Sequence, residues 1–230
     1  MELTTLSTSS KGNCYILKSA NGRFCVLDCG IRFKDITSAS EFSGFKNCDF
    51  LFCSHFHWQR EHKDHSLSLK DFALTGVEIV SYENITSNKT IQIGQWVLYP
   101  FPVEHNALNY GIIIYDTFEK KKLVYVTDFV SMPKIQNVDY WLYEINYDEF
   151  TVDKLIETQD LEELHVANNV KYHNSLESAV EYFSGLNNKP KLIVACHLSN
   201  IGGCDKNILK QMKPLCDRIE IAVKNKITRF

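Results

Sequence analysis

The stretch Phe52-Cys-Ser-His-Phe-His-Trp-Gln-Arg-Glu-His-Lys-Asp-His-Ser66 constrains this chain more than any other: it places four of the eight histidines and one aspartate within fifteen residues. Residues 48–53 before it form a short apolar run, which predicts a buried strand. Residues 66–74 after it predict a helix with Ser66 near its start. The histidines therefore fall on a strand-to-helix loop, a segment suited to carry a site because rigid elements hold both ends. Imidazole and carboxylate are good ligands for zinc and its first-row neighbours. A single histidine reads as an ordinary surface or core residue. Four of them with an Asp-His pair, just past a buried strand, read as a metal-ligand set; the competing reading is a charged loop that binds no metal.

A chain of 230 residues can bury one sizeable core, so a single domain spanning 1–230 is expected. The net charge of −3 does not by itself call for a nucleic-acid partner, although a local basic groove would be compatible with one. No apolar run is long enough to span a membrane, and the N-terminus lacks a charged-then-apolar signal pattern. The expectation is a soluble, cytoplasmic protein with no membrane partner; the sequence leaves its oligomeric state open. None of the eight cysteines forms a Cys-x-x-Cys pair, and several sit in apolar runs, so they read as reduced core thiols. An even count also permits disulfides.

Residues 2–8, 13–18 and 23–28 predict an antiparallel meander, punctuated by Lys11-Gly-Asn13 and Asn21-Gly22. Asp28, at the end of the third strand, is either a turn residue or a carboxylate near the site. Strands are expected at 77–80, along 90–99 and into 101–105, as a hairpin at 110–115 and 123–126, and at 139–144. A helical region follows at 151–168. Asn174-Ser-Leu-Glu177 fits a capping box for a helix that presents Leu176, Ala179, Val180 and Phe183 and stops at Gly185. A buried strand at 191–196 leads into His197, Asp205 is expected to cap a last helix to about 215, and 218–223 reads as a final strand. Strands with occasional helices in two successive halves suggest two sheets flanked by helices.

His105, Asp128 and His197 each terminate a predicted strand. If the sheets pack face to face, these ends can converge on the histidine-rich loop. A two-metal hydrolase needs about six or seven nitrogen and oxygen ligands, with a carboxylate bridging the ions. The histidines at 55, 57 and 62 together with Asp64, His65, His105, Asp128 and His197 supply such a set.

With these residues in view, the chain resembles the metallo-β-lactamase superfamily along nearly its whole length. The first motif of that superfamily is His-x-His-x-Asp-His after a strand. Ser9-Ser-Lys-Gly-Asn-Cys-Tyr15 and Leu27-Asp-Cys-Gly30 look like its opening; Val103-Glu-His105, Val126-Thr-Asp128 and Cys196-His-Leu-Ser199 look like its later ligand motifs. Glu144-Ile-Asn-Tyr147 and Tyr172-His-Asn-Ser175 are similar to a bacterial and phage branch that includes exonucleases acting on double-stranded DNA. The resemblance implies an α/β fold, a four-layer αββα sandwich, holding two divalent metal ions, commonly zinc and sometimes manganese. Carried over, one ion takes two first-motif histidines and His105, the other takes Asp64, His65 and His197, and Asp128 bridges both.

The first motif is too long by residues 56–60. One alignment takes His55 and His62 as ligands and keeps His62-x-Asp64-His65 contiguous. A second takes His55 and His57 and puts the insertion before Asp64. A third outcome is an insertion that spoils one metal position. Asn106 also departs from the branch, which often has Asp there. The implied activity is hydrolysis of a phosphodiester in nucleic acid or a nucleotide, with Asp64 and His173 as catalytic residues. His173 would hand a proton to the leaving oxygen. Asp28, Glu144 and Asn146 would orient ligands or position substrate. The rival class is a binding module whose pocket is blocked by the insertion; redox chemistry at a dinuclear iron site is a third.

Overall fold

The computed structural model describes residues 1–9, 12–39, 45–56, 65–86, 89–158, 170–199 and 203–230. In chain order the strands are β1 (Glu2–Ser7), β2 (Cys14–Lys18), β3 (Phe24–Leu27), β4 (Cys48–Cys53), β5 (Glu78–Ser81), β6 (Ile91–Ile93), β7 (Trp96–Val103), β8 (Asn109–Asp116), β9 (Lys121–Val126), β10 (Tyr140–Glu144), β11 (Leu192–Cys196), β12 (Arg218–Ile221) and β13 (Ile227–Arg229). The helices are α1 (Phe33–Thr37), α2 (Leu69–Ala73), α3 (Glu149–Glu157), α4 (Leu176–Ser184) and α5 (Asp205–Met212).

Two sheets result. The first runs β13-β1-β2-β3-β4-β5, the second β12-β11-β10-β9-β8-β7-β6. Each is antiparallel at one side and parallel at the other: β3, β4 and β5 pair in parallel, as do β9, β10, β11 and β12. Parallel strands inside a sheet need both faces covered, so β3 and β11 are continuously apolar, whereas the edge strands β5 and β12 carry charged residues. In β9, Leu123 and Tyr125 face the other sheet, and Val124 and Val126 face the outer helices, as the two-residue period of a strand requires.

The inner layer joins Leu3, Tyr15 and Phe50 of the first sheet to Trp96, Ile112, Leu142 and Val194 of the second. Outside the second sheet, Trp141 and Ile193 pack on Leu176, Ala179 and Phe183 of α4 and on Ile208 and Met212 of α5. Outside the first, Ile16, Val26 and Leu51 pack on Ile36 of α1 and Phe72 of α2. This is the four-layer αββα sandwich. Truncating a wholly buried member such as Phe50 to alanine would cost about 3–5 kcal/mol.

Several elements differ locally from expectation. The helix expected from Ser66 begins at Leu69. Residues 65–68 are instead bonded to the chain leaving β3: Cys29 N donates to His65 O at 2.8 Å and Ser68 N to Cys29 O at 3.0 Å. The alternating stretch at 90–99 folds back on itself, with Ile93 paired to Trp96. The cap of α4 is Ser175, whose Oγ accepts from Ser178 N. Asn174 is not the cap; its amide donates to Glu144 O at 3.0 Å. Asp205 is the first residue of α5 rather than its cap, Cys204 holding that position. Strand β13, unforeseen, pairs with β1. The expected helix at 151–168 is seen as α3, and its part from 159 onward lies outside the described residues. The eight cysteines are free thiols. No helix among the described residues is long and apolar enough to cross a membrane.

Candidate metal centre

Asp28, Asp128 and His197 each follow a strand and adopt the left-handed backbone region, with φ of 56°, 54° and 55°. Asp and His enter that region more readily than most residues, yet it costs about 1–3 kcal/mol where the surroundings impose it. The sharp exit brings all three side chains to one edge of the sandwich. His55 lies just past β4 and bridges to Asn109. Asn109 also donates its amide to Thr127 O and Asp128 O, fixing the exit of β9 against it.

The rings of His55 and His65 lie 4.3 Å apart, centroid to centroid, and those of His55 and His105 5.2 Å apart. His55, His105 and Asp128 each offer a ligand atom within 4.8 Å of the others. Asp128, Glu144, His173 and His197 do the same. Asp128 belongs to both groups. His65 Nε2 is 3.2 Å from Asp128 Oδ2, and His197 Nδ1 is 3.4 Å from the same oxygen. The far-separated strand ends therefore converge, and His55 and His65, on either side of residues 57–64, both reach the cluster. The other first-motif candidates, His57, His62 and Asp64, lie outside the described residues. Asn106 is exposed.

Two buried carboxylates grip the imidazoles from behind. Asp28 Oδ2 is 3.1 Å from His65 Nδ1 and accepts from Ser54 Oγ at 3.0 Å, and that hydroxyl is 3.0 Å from His55 Nδ1. Glu144 Oε1 is 2.8 Å from His173 Nδ1 and 2.7 Å from His197 Nδ1, while its Oε2 accepts from Phe129 N at 3.0 Å. Asn146 donates to the carbonyl of His197 at 2.8 Å. His105 Nδ1 is 3.1 Å from Tyr172 O.

His65 meets Asp28 through Nδ1 and turns Nε2 toward Asp128. That nitrogen is buried and makes no hydrogen bond despite the 3.2 Å approach. An imidazole nitrogen and a carboxylate oxygen facing each other in a buried space mark a place suited to a cation. The charges agree. Burial works to raise the Asp128 pKa, but His197, His65 and His55 around it hold it well below the usual carboxylate range. Burial likewise opposes ionisation of Glu144, and His173 overcomes it. Burial lowers His105. His65 is raised despite its burial, by Asp128 and Asp28. Carboxylates that stay ionised in a buried cluster of imidazoles are the donor set a divalent ion takes. The residues present fit a metal.

Ser54, Tyr125 and Asn109 also belong to the site and were not anticipated. Ser54 was visible only as a neighbour of His55. Tyr125 and Asn109 carry no local signal, because their role depends on which strand lies opposite.

Sandwich and edge cluster together define a protein of the metallo-β-lactamase fold with a candidate metal centre. Neither a protein-family model nor a curated protein sequence matches the chain. Solved structures do. The metallo-beta-lactamase fold protein YhfI from Bacillus subtilis matches with a TM-score of 0.71 at 13% identity, over 99% of this chain and 98% of that one. Human tRNase Z, short form, matches with a TM-score of 0.66 at 13% identity, over 100% and 99%. Zn(2+)-bound PqqB from Methylobacterium extorquens matches with a TM-score of 0.65 at 10% identity, over 100% of both chains.

Proposed function

We propose that this chain, a single domain over 1–230, is a metal-dependent hydrolase that cleaves phosphodiesters of nucleotides or nucleic acid in the cytoplasm. The observation that supports the reading is Asp128, a buried carboxylate common to two groups of metal-binding side chains; in this reading it would be shared by two divalent ions. His55 and His105, with His57 or His62, would hold one; His65 and His197, with Asp64, the other. An imidazole-rich set favours zinc, with manganese the alternative. Such ions supply Lewis acidity and make water acidic enough to attack near neutral pH.

The chain's own residues do the rest. Asp28 and Glu144 fix the imidazoles, so the ligand lone pairs converge without reorganisation at the moment of reaction. His173 is 12% exposed at its side chain, and Glu144 holds its Nδ1. Its other nitrogen is then free to turn toward substrate and give a proton to the leaving oxygen, the resulting charge change being buffered by Glu144. The tRNA-processing name of one structural neighbour agrees with a phosphodiester substrate. The phage-exonuclease branch suggested by Glu144-Ile-Asn-Tyr147 and Tyr172-His-Asn-Ser175 is the narrower form of the same proposal.

The test is elemental analysis of protein purified without chelator, followed by assay on bis(p-nitrophenyl) phosphate with added zinc or manganese. Two equivalents of metal with turnover are expected, and Asp128→Ala should lose metal and activity together. Full activity in that variant, or no metal in the parent, would overturn the assignment and favour a binding module.

A further inference from the structure

We infer that Tyr125 is a positioning residue that sets, from the opposite sheet, both histidines bracketing the 57–64 segment. Its ring is wholly buried on β9 and wedged between Tyr15 and Phe52, with centroid distances of 5.7 and 6.1 Å. Its hydroxyl donates to Asp28 Oδ2 at 2.5 Å. Asp28 is itself wholly buried. It also accepts from Ser54 N at 2.7 Å, through Oδ1, and from Ser54 Oγ, and it faces His65 Nδ1. Three of these four contacts share Oδ2, an oxygen with about two lone pairs, so the phenol, the Ser54 hydroxyl and the His65 ring compete for one atom.

The contacts close a circuit between the sheets. Tyr125 reaches Asp28, Asp28 holds His65, and His65 faces Asp128, which lies three residues beyond Tyr125 on the same chain segment. A branch through Ser54 reaches His55. The strand that delivers the shared carboxylate thus also fixes the imidazoles that must meet it. A second strut, Asn13 Nδ2 to Thr127 Oγ1 at 3.1 Å, runs beside it. Removing the phenol oxygen takes away the shortest of the three contacts at Oδ2, which frees the carboxylate to swing toward Ser54 or to rotate the His65 ring. Both histidines are affected at once, because one carboxylate serves both.

This inference rests on the reading of the cluster as a metal centre, and its test separates the two. Tyr125→Phe keeps the ring and removes only the hydroxyl. Zinc affinity, measured by competition with a chromophoric chelator, should fall roughly 10–100-fold. Tyr182→Phe is the control: that hydroxyl donates to Pro133 O and accepts from Ile135 N, away from the cluster, and affinity there should stay within a few-fold of the parent. In the metal-free parent at alkaline pH, long-range nitrogen–proton NMR should find His65 protonated on Nδ1, and Tyr125→Phe should mix the two tautomers. Equal loss of affinity in both variants, or no loss in Tyr125→Phe, would overturn the inference. So would His65 protonated on Nε2 in the parent, a result that needs neither the variant to fold nor the protein to hydrolyse anything.

Discussion

His197 holds its Nδ1 2.7 Å from Oε1 of Glu144, and the pairing of two strands explains why. In the parallel ladder between β10 and β11, Glu144 is the partner of Cys196, so the next residue turns its ring over the carboxylate. The same oxygen takes His173 from the other side. One buried charge thus orients a candidate ligand and a candidate acid.

Glu144→Gln should therefore damage two properties at once. The amide keeps the shape but cannot serve two imidazoles as an ionised acceptor. Metal affinity should drop roughly 10–100-fold, and kcat on phosphodiesters should fall further than metal saturation restores. Titrating the variant with zinc while following turnover separates the two losses.

His173→Gln should spare the metal and strike the leaving group. Loss of a proton donor costs about 10²–10⁴ in rate where the leaving oxygen is strongly basic. Esters of p-nitrophenol, whose leaving group needs no proton, should be hydrolysed at near-parental rates, and alkyl or nucleoside esters should not. Equal loss on both kinds of ester would remove His173 from the acid role.

His62→Ala should cost more metal and activity than His57→Ala if the contiguous His62-x-Asp64-His65 segment supplies the ligand. Metal content of the two purified variants decides it. The reverse order would place the insertion before Asp64.

Glu119 should govern part of the acid stability. It accepts from Lys121 Nζ, the N-terminal amine and Ala20 N, at 2.8, 2.6 and 2.8 Å, tying the β8–β9 turn to the first sheet. Burial works to raise its pKa, but these donors more than offset that and bring it from 4.5 down to about 2. A depressed carboxylate stabilises the fold above its unfolded value and ceases to do so as pH falls through its folded value. Thermal midpoints should thus fall between pH 4.5 and about 2, and Glu119→Gln should be less stable near neutrality and show a shallower fall across that window.

Most of the strands, the placement of His105, Asp128 and His197 at strand ends, and the clustering of histidines between residues 55 and 65 were legible in the sequence; β13 and the fold-back at 90–99 were not. The legible features follow from local hydrophobic pattern, which a chain carries in each short window. The sequence also contained Asp28 and Glu144, but only as strand-end acids of uncertain use. Tertiary structure alone decided that Asp28 serves His65, Ser54 and Tyr125 together, that Glu144 serves His173 and His197, and that Asn174 bonds Glu144 while Ser175 caps the helix. Those relationships join residues up to 97 positions apart, as between Asp28 and Tyr125. The Asp28–Tyr125 link exists because two sheets stack face to face, and the Glu144–His197 contact because β10 pairs with β11; no short window of sequence contains both partners of either.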